Sequence, residues 1–175
     1  MRTVMIALLG LAACGGSEPQ PAPKPAAPKP EAKPAPEVKP EPKEPAKPFA
    51  EMTDEEKHAY LMKTGEEVYL KSTLACTTCH GPEGKGTAGA FPPLVGTKDH
   101  MGDCVNHAAI VIYGMQGEIE VDGVKYNGNM TPQGAMLDDN QIAAVITYER
   151  NSWGNDFGDC TPDDVKKARE KDPRK

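Results

Sequence analysis

The densest group of chemically useful side chains in this 175-residue chain is Cys76-Thr77-Thr78-Cys79-His80. Two thiols separated by two residues and followed at once by an imidazole match the pattern for covalent haem attachment: the thiols add across the two vinyl groups, and the histidine lies beneath the iron as its fifth ligand. Two other chemistries use the same residue types. A thioredoxin-like redox pair needs a strand ahead of the cysteines within a βαβ pattern, whereas a helical pattern precedes them here. A zinc site needs about four ligands, and no second Cys/His pair stands nearby at zinc spacing. Haem c, one per chain, is therefore the expected cofactor. A sixth iron ligand would come from downstream, where Met101, Met115, Met130, Met136, His100 and His107 are the candidates.

The elements that must position these groups read as helices joined by long loops. Thr53-Asp54-Glu55-Glu56 is a capping box that opens a helix running to about Ser72. A second helix is expected from Cys104 to about Met115, which makes Met115 a buried core residue and His107 a surface histidine. A third is capped by Asp138 with Gln141 at the reciprocal position, and carries Ile142, Val145, Ile146 and Tyr148 at helical spacing. It should end near Trp153-Gly154. Thr161-Pro162 starts a short last helix with proline at its first position. Alternation on both sides of Asp122-Gly123 predicts a small hairpin near 118–127. Gly and Pro are dense over 81–96 and 127–134. Loops of that length in a small domain usually do something, and here they are expected to wrap the cofactor. Trp153 reads as an aromatic closing a helix end, with an electron conduit as the rival, and His58 reads as a surface residue.

Three motifs together resemble the class I cytochromes c: the haem pentad, Gly65-x-x-x-Tyr69 ahead of it, and Phe91-Pro92-Pro93-Leu94 after it. The resemblance covers roughly residues 53–155 and implies an all-α class I cytochrome c fold around one covalent haem. It implies that Gly65 lets the C-terminal helix cross closely, with Tyr148 as the aromatic partner. It implies that the Pro92 carbonyl accepts a hydrogen bond from His80. It also places the axial methionine at Met130, in the glycine-rich stretch before the third helix. The family usually has proline directly after that methionine, whereas this chain has Thr131 and then Pro132, so Met136 stays a rival. A His/Met pair raises the potential and leaves no open coordination position, which favours electron transfer over catalysis.

The rest of the chain is of two other kinds. Residues 1–13 combine Arg2 with the apolar run Val4–Leu11, a signal-peptide pattern too short for the roughly 20 residues of a spanning helix. Leu11-Ala12-Ala13-Cys14-Gly15 resembles the lipobox of bacterial lipoproteins, which implies lipid on the Cys14 sulfur; an ordinary secretory signal is the alternative. Residues 15–48 hold twelve of the eighteen prolines among Ala, Lys and Glu. With nothing to bury, that stretch cannot offset the entropy of ordering, and proline stiffens it toward an extended arm reaching up to roughly 100 Å.

The domain division expected is therefore 1–13 signal, 14–48 lipidated cysteine and tether, and 49–175 cytochrome domain. An exported chain meets an oxidising compartment. With Cys14, Cys76 and Cys79 assigned, Cys104 and Cys160 remain and are expected to form a disulfide. From residue 49 onward there are 13 basic and 21 acidic residues, a poor balance for nucleic acid. The partners expected are a redox donor and a redox acceptor at a membrane, met from the periplasmic or outer face. Gly15 in place of aspartate leans toward outer-membrane sorting. The rivals are a haem subunit fixed in a larger oxidoreductase, which the stretch Met115–Gly128 resembles, and a haem sensor or peroxidase with a labile sixth ligand.

Overall fold

The fold is described from a computed structural model, which covers residues 47–71, 76–170 and 172. The signal, Cys14, nearly all of the proline-rich arm and the expected end of the first helix at Ser72 lie outside these residues. Among the described residues, six helices and one hairpin follow a short 3-10 turn at Phe49–Glu51: α1 Asp54–Lys71, α2 Cys76–His80, α3 Lys98–Met101, α4 Cys104–Tyr113, β1 Met115–Val121, β2 Val124–Met130, α5 Asp139–Asn151 and α6 Pro162–Glu170. Among the described residues no helix is long and apolar enough to cross a membrane.

Local chemistry sets most helix starts. Thr53 Oγ1 accepts from the Glu56 amide at 3.3 Å while Glu56 accepts from the Thr53 amide at 2.8 Å. Asp138 and Gln141 make the same reciprocal pair at α5, and Thr161 and Asp164 at α6. Asp103 caps α4 by accepting from the Asn106 amide. Each pair satisfies donors that the first turn leaves open.

The helices are held together by small residues. Gly65 of α1 lies so close to α5 that a Cβ there would stand 2.1 Å from the Ala144 carbonyl oxygen and 2.6 Å from Tyr148 Cβ. Ala108, Ala109, Ala143 and Ala144 are fully buried and keep the backbones near one another, while Leu61, Ile142 and Ile146 fill the space between. Tyr69, Tyr148 and Trp153 close one end, with ring centroids 5.1 to 5.6 Å apart.

Three expectations need correction. The second helix stops at Tyr113, because Gly114 turns to φ 69° in a spot where a Cβ would meet the Met130 carbonyl at 2.2 Å. Met115 consequently begins a strand rather than ending a helix. The hairpin is longer than 118–127: its register runs from Met115↔Met130 to Val121↔Val124, so Met130 ends a strand rather than sitting in a free loop. The turn has positive φ at both Asp122 (50°) and Gly123 (76°), the geometry that matches the twist of the flanking strands. His107 is also corrected: it is 3% exposed, not a surface residue.

Cys104 and Cys160 are joined by a disulfide, Cα–Cα 5.5 Å, tying the start of α4 to the approach to α6. The two cysteines are 56 positions apart in sequence, a closure that in the chain-entropy view contributes on the order of 4 kcal/mol. Replacing both cysteines by alanine should lower the stability by about 3 kcal/mol and the melting temperature by roughly 10 °C. Thermal denaturation of the paired variant would show this; an unchanged transition would contradict it.

Candidate functional site

α2 is a single turn, yet its spacing is enough: residues three and four apart share one face of a helix, so Cys76, Cys79 and His80 point the same way. All three line one cavity. Neither cysteine is taken by the disulfide, which joins Cys104 and Cys160. Burial, with the charge of Glu149 adding to it, pushes the Cys76 thiol up to about 12, so at neutral pH it is held as the uncharged thiol.

The loop after α2 turns back to orient the histidine. His80 Nδ1–H donates to the Pro92 carbonyl at 3.0 Å, since a carbonyl can only accept. That fixes the ring and its tautomer, leaving the Nε2 lone pair as the donor to a metal. The fold-back depends on Gly86, whose amide donates to the His80 carbonyl at 2.8 Å. At its φ of 62° a Cβ would stand 2.3 Å from the Phe91 carbonyl and 2.6 Å from that of Pro92, so only glycine fits.

One residue that sequence reasoning missed holds this loop to the helix core. The buried Asn155 side chain accepts from the Gly96 amide at 2.8 Å, and donates to the Leu94 carbonyl at 3.0 Å and the Glu149 carbonyl at 2.8 Å. Nothing near it in sequence announces this, because its loop partners lie 59 and 61 residues away. Asn155→Ala would strand those groups without partners, and should cost about 2–4 kcal/mol. Denaturant unfolding would register the loss; a change below about 0.5 kcal/mol would contradict it.

The cavity is open to solvent at its mouth. Its walls are mostly apolar: Leu94, Ile110, Val111 and Val145 from the core side, and Met115, Ile119, Val121 and Tyr126 from the hairpin. One face of the hairpin forms the lid. Gly117 and Gly128 sit opposite one another on that same face, leaving room for a flat occupant close to the backbone. Of the sequence candidates, Met101, Met115, Met130, His100 and His107 line the cavity. Met136, the rival to Met130, is 47% exposed and not among the lining residues. Trp153 is also absent from the walls and packs in its ring cluster over Gly84, whose Cβ would stand 2.5 Å from the indole. His58 pairs with Asp159 at the surface.

A haem fits this site on two independent counts. The donor set is right for it: two thiols and an oriented imidazole on the wall of an apolar slot. In addition, apolar side chains from the helices and from one face of the hairpin line the slot on both sides, the surroundings a porphyrin ring needs. A mainly helical domain with a covalent haem-binding turn and a wrapped apolar cleft defines a monohaem c-type cytochrome of class I.

The comparisons with known proteins agree. The family model described as cytochrome c matches residues 62–153, and the chain belongs to the cytochrome c family. It is 37% identical over 119 residues to cytochrome c-552 of Thermus thermophilus, covering 61% of this chain and 85% of that protein. A second cytochrome c-552 of the same species matches at the same identity over 75% of its length. The chain is also 30% identical over 114 residues to the cytochrome c subunit of a quinone alcohol dehydrogenase from Gluconobacter oxydans, covering 60% of this chain and 22% of that subunit. Proteins of this family carry covalently attached haem c and transfer electrons rather than catalyse a reaction.

Haem supplies a one-electron Fe(III)/Fe(II) couple when bound. The chain's own residues would do the rest: two thiols placed to retain it, an imidazole held in one orientation by Pro92, and apolar walls that exclude water.

Proposed function

We propose that this chain is a membrane-tethered electron shuttle whose haem is bonded to Cys76 and Cys79, with His80 Nε2 as fifth ligand and Met130 as sixth. The observation that carries the ligation is the shared face of Cys76, Cys79 and His80 on an apolar cavity, with Pro92 holding the imidazole. Met130 is favoured because it lines that cavity and falls where the family keeps its axial methionine. The signal at 1–13, lipid on Cys14 and the proline-rich arm from 15 to 48 are supported by sequence pattern alone. Together with the domain from 49 to 175 they make a carrier that swings between a membrane-bound donor and acceptor. The tether works through effective concentration, keeping the haem near its partners.

A second reading follows from the likeness to a dehydrogenase cytochrome subunit: the domain is a fixed relay inside a larger oxidoreductase. Fractionation separates the two. In the shuttle reading the protein stays with membranes, leaves them when Cys14→Ala is introduced, and purifies in mild detergent without partner subunits. Stoichiometric partners would favour the relay; wild-type protein found wholly in the soluble fraction would overturn the tether.

A further inference from the structure

The cavity wall contains an acid–base pair that holding the haem does not require. His107 of α4 and Glu149 of α5 face each other with Nε2 and Oε2 2.9 Å apart, their side chains 3% and 6% exposed. Both line the cavity. A buried ion pair is a poor way to gain stability, because desolvation cancels most of its attraction, and apolar residues of similar size would fill the space better. The pair is also incomplete. Glu149 can accept only from Nε2–H, which leaves Nδ1 as a buried nitrogen with no partner among the described residues, bare when the ring is neutral and a donor when it is protonated. From the adjoining turn Gln133, whose backbone amide donates to the Val111 carbonyl one helical turn beyond His107, offers a second such atom, Oε1.

We propose that His107 and Glu149 form a redox-linked proton site, so that the domain takes up one proton with each electron and releases it when the electron leaves. The electron comes from the redox donor and the proton from water, landing on His107 Nδ1. The pair then goes from a neutral imidazole beside a carboxylate, net charge −1, to an imidazolium–carboxylate pair of net charge zero. An added electron makes the cavity more negative by one unit. In a poorly solvated site that repels the −1 form and favours the neutral one. Glu149 lies close enough to Cys76, the residue that would carry the haem, to act on it electrostatically.

Among the described residues, Glu149 acts electrostatically on Tyr69 of α1 and Cys76 of α2, and His80 of α2 and His100 of α3 line the same cavity. Arg150 on α5 spends its guanidinium on the carbonyls of Met101, Phe157 and Gly158, with Asp103 and Asp159 beside it. In the haem-loaded protein Cys76 and His80 are bonded, and burial keeps Tyr69 protonated. His100 is the remaining rival on the protein.

Redox titration of the holoprotein between pH 5 and 9 tests this. The reduction potential should fall with rising pH, approaching one proton per electron, which is a tenfold shift in the electron-sharing equilibrium per pH unit. Glu149→Gln should flatten the dependence across this window by removing the charge that stabilises imidazolium, while His100→Gln should leave it intact. In the unaltered protein the His107 ring resonances should titrate at a higher pH reduced than oxidised, a readout that does not depend on any variant folding. A potential independent of pH, a dependence that survives Glu149→Gln, or the same His107 titration in both redox states would each overturn the proposal.

Discussion

Gly65→Val should cost the domain about 4 kcal/mol or more, a large part of the roughly 5–15 kcal/mol that holds such a domain folded. The sign is not obvious from sequence. Glycine inside a helix is less favourable than other residues by about 1 kcal/mol, so a side chain there should help α1 on its own. Packing reverses this. The first added carbon would stand 2.1 Å from the Ala144 carbonyl oxygen, and a backbone atom inside α5 cannot swing aside as a flexible side chain can. The two helices would have to separate, opening the contact around Leu61, Tyr69 and Ile146 that backs the cavity. Lys63→Ala, exposed on the same helix, should change stability by less than about 0.5 kcal/mol. Denaturant unfolding of the two holoproteins makes the comparison. Equal stabilities would mean that α1 and α5 do not cross as described.

Met130→Ala should have the largest effect on function. Met130 is half-buried at the last position of β2, so its truncation should cost only about 1–2 kcal/mol of stability and leave the hairpin in place. If its thioether is the sixth donor, the far-red band of methionine-bound ferric haem should disappear. The reduction potential should fall by on the order of 0.2 V, within the roughly 0.8 V range that axial ligands control. The opened position should then bind carbon monoxide in the reduced state. Met115→Ala is the informative companion, because Met115 sits directly across the ladder and lines the same cavity. Loss of the band in Met115→Ala and its survival in Met130→Ala would transfer the role to Met115.

What can be read from the sequence is what short-range chemistry decides. The capping pairs Thr53/Glu56 and Asp138/Gln141 announce two helices because each partner is three residues away, and Pro162 at a first helical position announces the last. The haem turn is legible for the same reason. The hairpin is foreseen but underestimated, because Gly117 and Gly128 occupy cavity-facing positions where alternation would call for apolar side chains. Met115 reads as helical until the obstruction behind Gly114 becomes visible. Asn155 is beyond reach, since it bridges segments about 60 residues apart. His107 is misread because helical spacing alone does not tell a solvent-facing position from one buried against Glu149.

The most direct measurement is made on protein from cells able to mature c-type cytochromes, by intact mass and visible spectrum after denaturation. Haem bonded through Cys76 and Cys79 predicts a coloured chain that keeps its haem when unfolded, with a mass greater by one haem. Cys76→Ser combined with Cys79→Ser should yield a chain that loses its colour on unfolding. A wild-type chain that emerges colourless, with the mass of the bare polypeptide, would contradict the assignment of this site.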